Sequence, residues 1–290
     1  MSRPYDSVEI VFNPNSTGNA SGRAKELAAQ LADRAPELPV VLRPTEHAGH
    51  GREIARDAVR RGRPLVVSVS GDGGYNDVVN GLMEAGVDEV FAAVSAAGNA
   101  NDHRRVTKRR DLADAIVSGA VSRLDLLRMS VDGREPRYAH SYIGLGITPV
   151  VALELEQGGK GSIREVLSTI RSFARFRPFE IETPDGTERF DSIIFANIRE
   201  MAKFAELSEQ GRPDDGRFEV IILRHTAKWR VLATAVRAAL RGLGPQPTAQ
   251  EYRFRTKDPM PVQVDGEVAD LDRGAAVTVE IAPGALHEVR

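Results

Sequence analysis

The chain of 290 residues carries a formal net charge of -2, 41% hydrophobic residues and no cysteine. That length and apolar content suffice for one large core or two modest ones, while the missing thiols exclude disulfides, thiolate metal sites and cysteine nucleophiles and fit a reducing compartment. Near-neutral charge argues against a dedicated nucleic-acid binder, whose affinity comes mainly from Lys and Arg contacts to phosphates.

The N-terminal stretch MSRPYDSVEIVF has no apolar signal core. No window reaches the roughly 18 to 20 apolar residues of a membrane span. A cytoplasmic protein is expected, with any membrane contact peripheral. Apolar, β-branched runs at Val8 to Phe12, Val40 to Leu42, Leu65 to Val69 and Val90 to Val94 each end in a polar or glycine-rich turn and read as buried strands. Between them Ala24, Leu27, Ala28 and Leu31 keep helical spacing, as do Ile54, Ala58 and Val59, so the crossovers read as helices. The first part is therefore a parallel, Rossmann-like α/β domain, placed at residues 1–122. Beyond it come alternating runs, RFDSIIFANI, RFEVIIL, YRFRTK, PVQVDGEV and AVTVEIA, with PDG, DDG and DRG as turns. These predict an antiparallel β-rich domain over 123–290, of which the tail 277–290 is free to pack back on the first. Helices are predicted in SIREVLSTIRSFARF and in AKWRVLATAVRAALRG, the latter closed by Gly242 and Gly244 before Pro245.

The third strand runs into SGDGGYNDVVNGL. In an open parallel sheet, ligands bind beyond the carboxyl ends of the strands, where backbone N–H groups and helix N-termini point outward. Gly71, Gly73 and Gly74 permit a tight turn and a close approach of phosphate to the backbone. Asp72 would repel that phosphate unless a divalent cation lay between them, so its carboxylate implies magnesium or a hydroxyl that it polarises. A plain Asp-Gly turn accounts for the same residues taken singly. Two further strand ends, NPNSTG and AAGNANDHRR, carry glycine with Asn, Ser, Thr or Asp, and turn chemistry alone does not predict that three times on one edge.

NPNSTG, SGDGGYNDVVNGL, AAGNAND and VQVDGE resemble, in that order, the nucleotide and catalytic motifs of the diacylglycerol kinase family of lipid kinases, which includes sphingosine kinases. The resemblance implies an α/β domain and a β-sandwich domain with the active site in the cleft between them. There, with ATP and Mg2+ as cofactors, the γ-phosphate passes to a lipid hydroxyl. It also implies that Asn13, Pro14, Asn15, Ser16, Thr17 and Thr45 line the nucleotide pocket and that Gly71, Asp72, Gly73, Gly74, Tyr75 and Asn76 hold the phosphates, with Asn99 in the turn after the fourth strand. Asp72 and Asp102 match acidic positions around the phosphates and magnesium, Asn80 the helix asparagine, and Glu267 the proton acceptor. Asp215, with the backbone carbonyls of Arg212 and Arg217, falls at a structural magnesium site. A carboxylate such as Glu267 is ionised at neutral pH and can serve as base without tuning. The lipid substrate would be met at the membrane surface, no nucleic acid is expected, and a homodimer is one assembly the sequence admits.

The family usually reads Gly-Gly-Asp-Gly-Thr and Pro-x-Gly-Thr where this chain has Ser70 to Gly74 and Ala96 to Asn99, so two threonines are absent. If only hydroxyl contacts are lost, Gly74→Thr and Asn99→Thr are each expected to tighten nucleotide binding. The segment REMAKFAELSEQG replaces the glycine-rich stretch expected before the Asp-Asp-Gly turn. Rival readings are a nicotinamide dinucleotide kinase, which shares a Gly-Asp-Gly loop, and a nucleotide-binding regulator without turnover. His47 and His50 read as structural because no third metal ligand accompanies them, and Asp214 with Asp215 also read as an ordinary turn. Arg104 and Arg105 in HRRVTKRR read as a solvated face or a phosphate contact, and QGGKGS as a decoy of a phosphate loop. Phe173, Phe176 and Phe179 are placed near a helix end, on a core face.

Overall fold

The computed structural model describes residues 3–16, 18–97, 111–146, 178–198, 212–225 and 245–290, together with the backbone of 200–201 and 205–206. The second-part helices expected at 162–176 and 227–242, and Phe173, Phe176, Arg104, Arg105 and QGGKGS, lie outside these residues. The chain divides into two compact units, Met1–Leu126 with Ala282–Arg290, and Leu127–Ile281.

In the first unit, strands β1 (Ser7–Phe12), β2 (Val40–Pro44), β3 (Pro64–Ser70) and β4 (Phe91–Ala96) alternate with helices α1 (Ala20–Arg34), α2 (His50–Arg61) and α3 (Asp72–Glu84), and α4 (Leu112–Ser118) follows. All of these strands pair in parallel in the order β2-β1-β3-β4, with Val8 opposite both Val40 and Leu65, and Leu65 opposite Phe91. Strand order therefore reverses between β1 and β3, the switch point at which such sheets bind ligands. Ala20, Ala24, Leu27 and Leu31 of α1 and Ala113, Ala115 and Ile116 of α4 bury against Ile10, Leu65 and Val67 of the sheet. Gly81 of α3 lets α2 approach closely: a Cβ there would stand 2.1 Å from the Arg52 carbonyl oxygen.

Strand β5 (Val121–Val131) runs on into the second unit, where β6 (Arg137–Ala139) and β7 (Tyr142–Gly146) follow. The next strands are β8 (Phe179–Thr183), β9 (Gly186–Ala196), β10 (Glu200–Met201), β11 (Ala205–Glu206) and β12 (Phe218–Arg224). The last are β13 (Thr248–Ala249), β14 (Glu251–Thr256), β15 (Met260–Val264), β16 (Glu267–Leu271) and β17 (Ala276–Val289). Pairing within this unit is antiparallel. The first half of β9 pairs with β8, and its second half is flanked by β7 and β12. Leu127, Ile143, Phe190, Phe195, Phe218, Val262, Phe254 and Val279 form one apolar core. Phe179 is a strand residue, not a helix residue, and its ring meets that of Phe190 at 6.0 Å. The final strand divides between the units: Ala276 to Glu280 pair antiparallel with β14, whereas His287 and Glu288 pair in parallel with Phe91 and Ala92 of β4.

Candidate functional site

A cavity of about 350 Å³ opens at the carboxyl ends of β1, β2 and β3 and is lined by Phe12, Asn13, Asn15, Thr45, His47, Gly51, Ser68, Ser70, Gly74 and Asp77, among others. Its wall begins where β1 ends. The Asn13 carboxamide oxygen accepts the Asn15 N–H at 2.9 Å, closing an Asx turn at the cavity wall. Ser16 accepts the Gly18 N–H at 3.3 Å, and a Cβ at Gly18 would stand 1.8 Å from the Ala97 carbonyl oxygen, so only glycine lets this loop pass the end of β4. Thr45 is fixed by its own N–H, which donates to the Phe12 carbonyl at 2.9 Å.

The glycine-rich stretch is the start of a helix rather than an extended loop. Gly71 caps α3, Asp72 is its first residue, and the Tyr75 N–H already finds the Gly71 carbonyl at 3.1 Å. The amides of Gly73 and Gly74 are then the anion-facing groups of a helix end whose dipole favours negative charge. Asp72 is half-buried in the first turn, and Asp77, one turn on, lines the cavity together with Glu46.

Three expected site residues, Tyr75, Asn76 and Asn80, turn inward instead. Tyr75 is 1% exposed, and its hydroxyl donates to buried Glu288 at 3.3 Å. Asn80 is buried too, and its NH2 donates to the carbonyl and the carboxamide oxygen of Asn76 at 2.9 and 3.0 Å. All three face the interior because helical spacing sets Tyr75, Asn76, Val79 and Asn80 on the packed side of α3, so Tyr75, Asn76 and Asn80 hold the helix in place rather than line the cavity. Thr17, Asn99 and Asp102 lie outside the described residues.

His47 and His50 do have a third potential ligand. Glu53, one turn along α2, brings a carboxylate oxygen within 4.8 Å of their ring nitrogens. In this arrangement the set does not suit a metal. His50 Nδ1 accepts the Glu46 N–H at 3.0 Å, which puts the proton of the neutral ring on Nε2, and the two rings lie stacked at 4.7 Å and 12°. One ion cannot lie in the plane of both rings and also find a bare Nε2 on His50.

In the second unit, Glu267 opens β16 immediately after a two-residue turn. Asp265 and Gly266 have φ of 47° and 95°, the positive values a type I′ hairpin requires. The turn is more than a reversal of direction. Asp265 is 1% exposed, and its carboxylate accepts the N–H groups of His140, Ser141 and Tyr142 at 2.7, 3.0 and 2.9 Å. The Glu267 carboxylate, still partly open to solvent, lies 3.5 Å from the Arg137 guanidinium. Asp265, His140 and Arg137 escaped the sequence reading, because VDGE reads as a turn and the anchoring residues lie more than a hundred positions earlier.

Asp215 is exposed and accepts the Arg217 N–H at 3.0 Å, an Asx turn helped by Gly216 at φ 72°. Arg212 pairs with the neighbouring Asp214 at 3.1 Å. Among the described residues, the clustered His, Cys, Asp and Glu groups do not include Asp215. No helix among the described residues is long and apolar enough to cross a membrane.

Residues 7–129 match the family described as the diacylglycerol kinase catalytic domain. A diacylglycerol kinase of Bacillus subtilis (strain 168) is 24% identical over 297 residues, 94% of this chain and 93% of its own. A diacylglycerol kinase of Staphylococcus saprophyticus is 24% identical over 228 residues, covering 74% of this chain and 72% of that one. The crystal structure of a diacylglycerol kinase from Bacillus anthracis str. Sterne is similar with a TM-score of 0.73 and 16% identity, over 100% of this chain and 98% of that one, so the fold is shared along the whole length. Through residues 7–129 the chain thus matches the diacylglycerol kinase catalytic domain, and along its length it is similar in sequence and fold to diacylglycerol kinases.

Proposed function

We propose that this protein transfers the γ-phosphate of ATP, with magnesium, to a hydroxyl of a lipid such as diacylglycerol. The observation that carries this reading is the cavity at the switch point between β1 and β3, where polar groups of three strand ends meet the N-terminus of α3. Asn13, Asn15 and Thr45 would hold the nucleoside and the amides of Gly73 and Gly74 its phosphates. The donor set fits magnesium, a hard cation that takes oxygen ligands. Asp72 and Asp77 would hold it beside the phosphates, where it neutralises developing charge.

Glu267 would take the proton of the lipid hydroxyl as its oxygen attacks the γ-phosphorus and the bond to the β-phosphate oxygen breaks, releasing ADP. Asn99, Thr17 and Asp102 keep the nucleotide and acidic roles that the resemblance implies, and Asp215 with the Arg212 and Arg217 carbonyls that of a structural magnesium site. The lipid would be reached by peripheral contact with the cytoplasmic membrane face. The names of the Bacillus subtilis and Staphylococcus relatives support this acceptor class.

Incubating the purified chain with labelled ATP, magnesium and a panel of lipids and dinucleotides tests the proposal. Label is expected on a lipid. Label on a dinucleotide, or on no acceptor, would overturn it.

A further inference from the structure

Ser68 and Ser70 alternate along β3, so their side chains share one face of the sheet, and both line the cavity beside Gly74. Ser68 is 1% exposed. Its hydroxyl lies 2.7 Å from that of Ser70 and 3.2 Å from the Gly74 carbonyl oxygen, while the Ser70 hydroxyl donates to the Gly71 carbonyl at 2.9 Å. A Cβ added at Gly74 would stand 2.7 Å from Ser70 Cβ and 2.8 Å from Ser70 Oγ. Real Cβ atoms do not come so close, so residues 70 and 74 compete for one volume and Ser70 fills it. The expectation that Gly74→Thr simply adds a hydroxyl contact is therefore corrected: the space is already taken, and by a hydroxyl.

We propose that Ser70 is the side-chain hydrogen-bond donor of this helix end toward the phosphates of a nucleoside triphosphate, with Ser68 behind it. The proposal rests on the nucleotide reading given above. Two hydroxyls have two protons to serve three contacts. With Ser68 donating to Ser70, the Ser70 proton rests on the Gly71 carbonyl. That carbonyl also accepts the Tyr75 N–H at 3.1 Å, so it keeps a partner when Ser70 turns its proton to a phosphate oxygen. A bare Gly74 is then the condition for a hydroxyl at position 70.

Equilibrium binding of ATP and of adenosine to the full chain, with thermal melts, tests this. Ser70→Ala is expected to weaken ATP roughly three- to tenfold and leave adenosine unchanged, since a loop merely distorted would lose both alike. Gly74→Thr is expected to lower the Tm, and the exchange Ser70→Gly with Gly74→Thr to recover both Tm and ATP binding. Unchanged ATP affinity in Ser70→Ala, equal loss of ATP and adenosine, or an exchange variant no better than Gly74→Thr would each overturn the proposal. A parent chain that binds no ATP would overturn the nucleotide reading and this proposal with it. A parent that binds ATP no better than Ser70→Ala does would overturn this one alone.

Discussion

Glu267 owes its position to the residue two places before it. Asp265 spends both carboxylate oxygens on backbone N–H groups, one on His140 and the other shared by Ser141 and Tyr142, and so ties the hairpin to the start of β7. Asp265→Asn would replace one of those oxygens with an NH2 that confronts a donor, leaving a buried group unsatisfied at a cost of about 1 to 3 kcal/mol. Urea unfolding should show that loss, and an unchanged midpoint would mean the carboxylate is not an anchor. Glu267→Gln is expected to behave differently, because the amide keeps the shape but cannot take a proton. Turnover should fall on the order of 100- to 10,000-fold with ATP affinity and stability unchanged. A variant that keeps most of its turnover removes Glu267 from the proposed mechanism. The sequence made Glu267 legible through a short motif, but not Asp265, whose partners become neighbours only when the second unit closes.

Strand positions were readable because buried strands of a parallel sheet are short apolar runs, and β1 and β3 coincide with theirs to within one residue at each end. The start of α3 was not readable in the same way. Glycine is among the poorest helix formers, so Asp-Gly-Gly reads as loop, yet the helix begins at Asp72 because packing of Tyr75, Val78, Val79 and Leu82 outweighs local propensity. Strand β5 escaped for another reason. Leu127, Met129 and Val131 alternate with Arg128 and Ser130 as a half-buried strand does, but the continuous burial from Leu124 to Leu127, with Asp125 inside it, breaks that two-residue period in the first half. The contact of α2 with α3 depends on a residue that reads as a defect in a helix. Gly81→Ala would drive a methyl group into the Arg52 carbonyl and should destabilise the chain by about 1 to 3 kcal/mol, as overpacking does. A melt as stable as the parent's would show that α2 slides aside at no cost.

At the scale of the molecule, the first unit is completed by the end of the chain, since Ala282–Arg290 belong to it and Leu286 and Val289 are fully buried. The return of this segment to the first domain follows from its apolar residues, but its parallel pairing with β4 could not be read from a strand that begins as the antiparallel partner of β14. The segment also carries a titratable group in a costly place. Burial first, and the Arg123 charge second, push the His287 imidazole below its usual value of 6.5, against a smaller upward pull from Glu89 and the backbone at Val90. The ring lies 5.3 Å from that of Phe91. Because the folded state holds this proton less tightly than the unfolded chain, the unfolded state binds more protons in the interval between the two values, and stability rises with pH there. The contribution of His287 is thus complete above about 6.5 and is lost as pH falls through the lower folded value. Thermal unfolding followed from pH 7.5 down to 5 should show a decline that is shallower in His287→Gln, which cannot take up the proton, with the two chains differing least in slope at the neutral end. Carboxylates elsewhere contribute to both curves alike, so the difference in slope isolates this residue. Parallel curves for parent and variant would mean that His287 titrates in the folded chain as it does in the unfolded one.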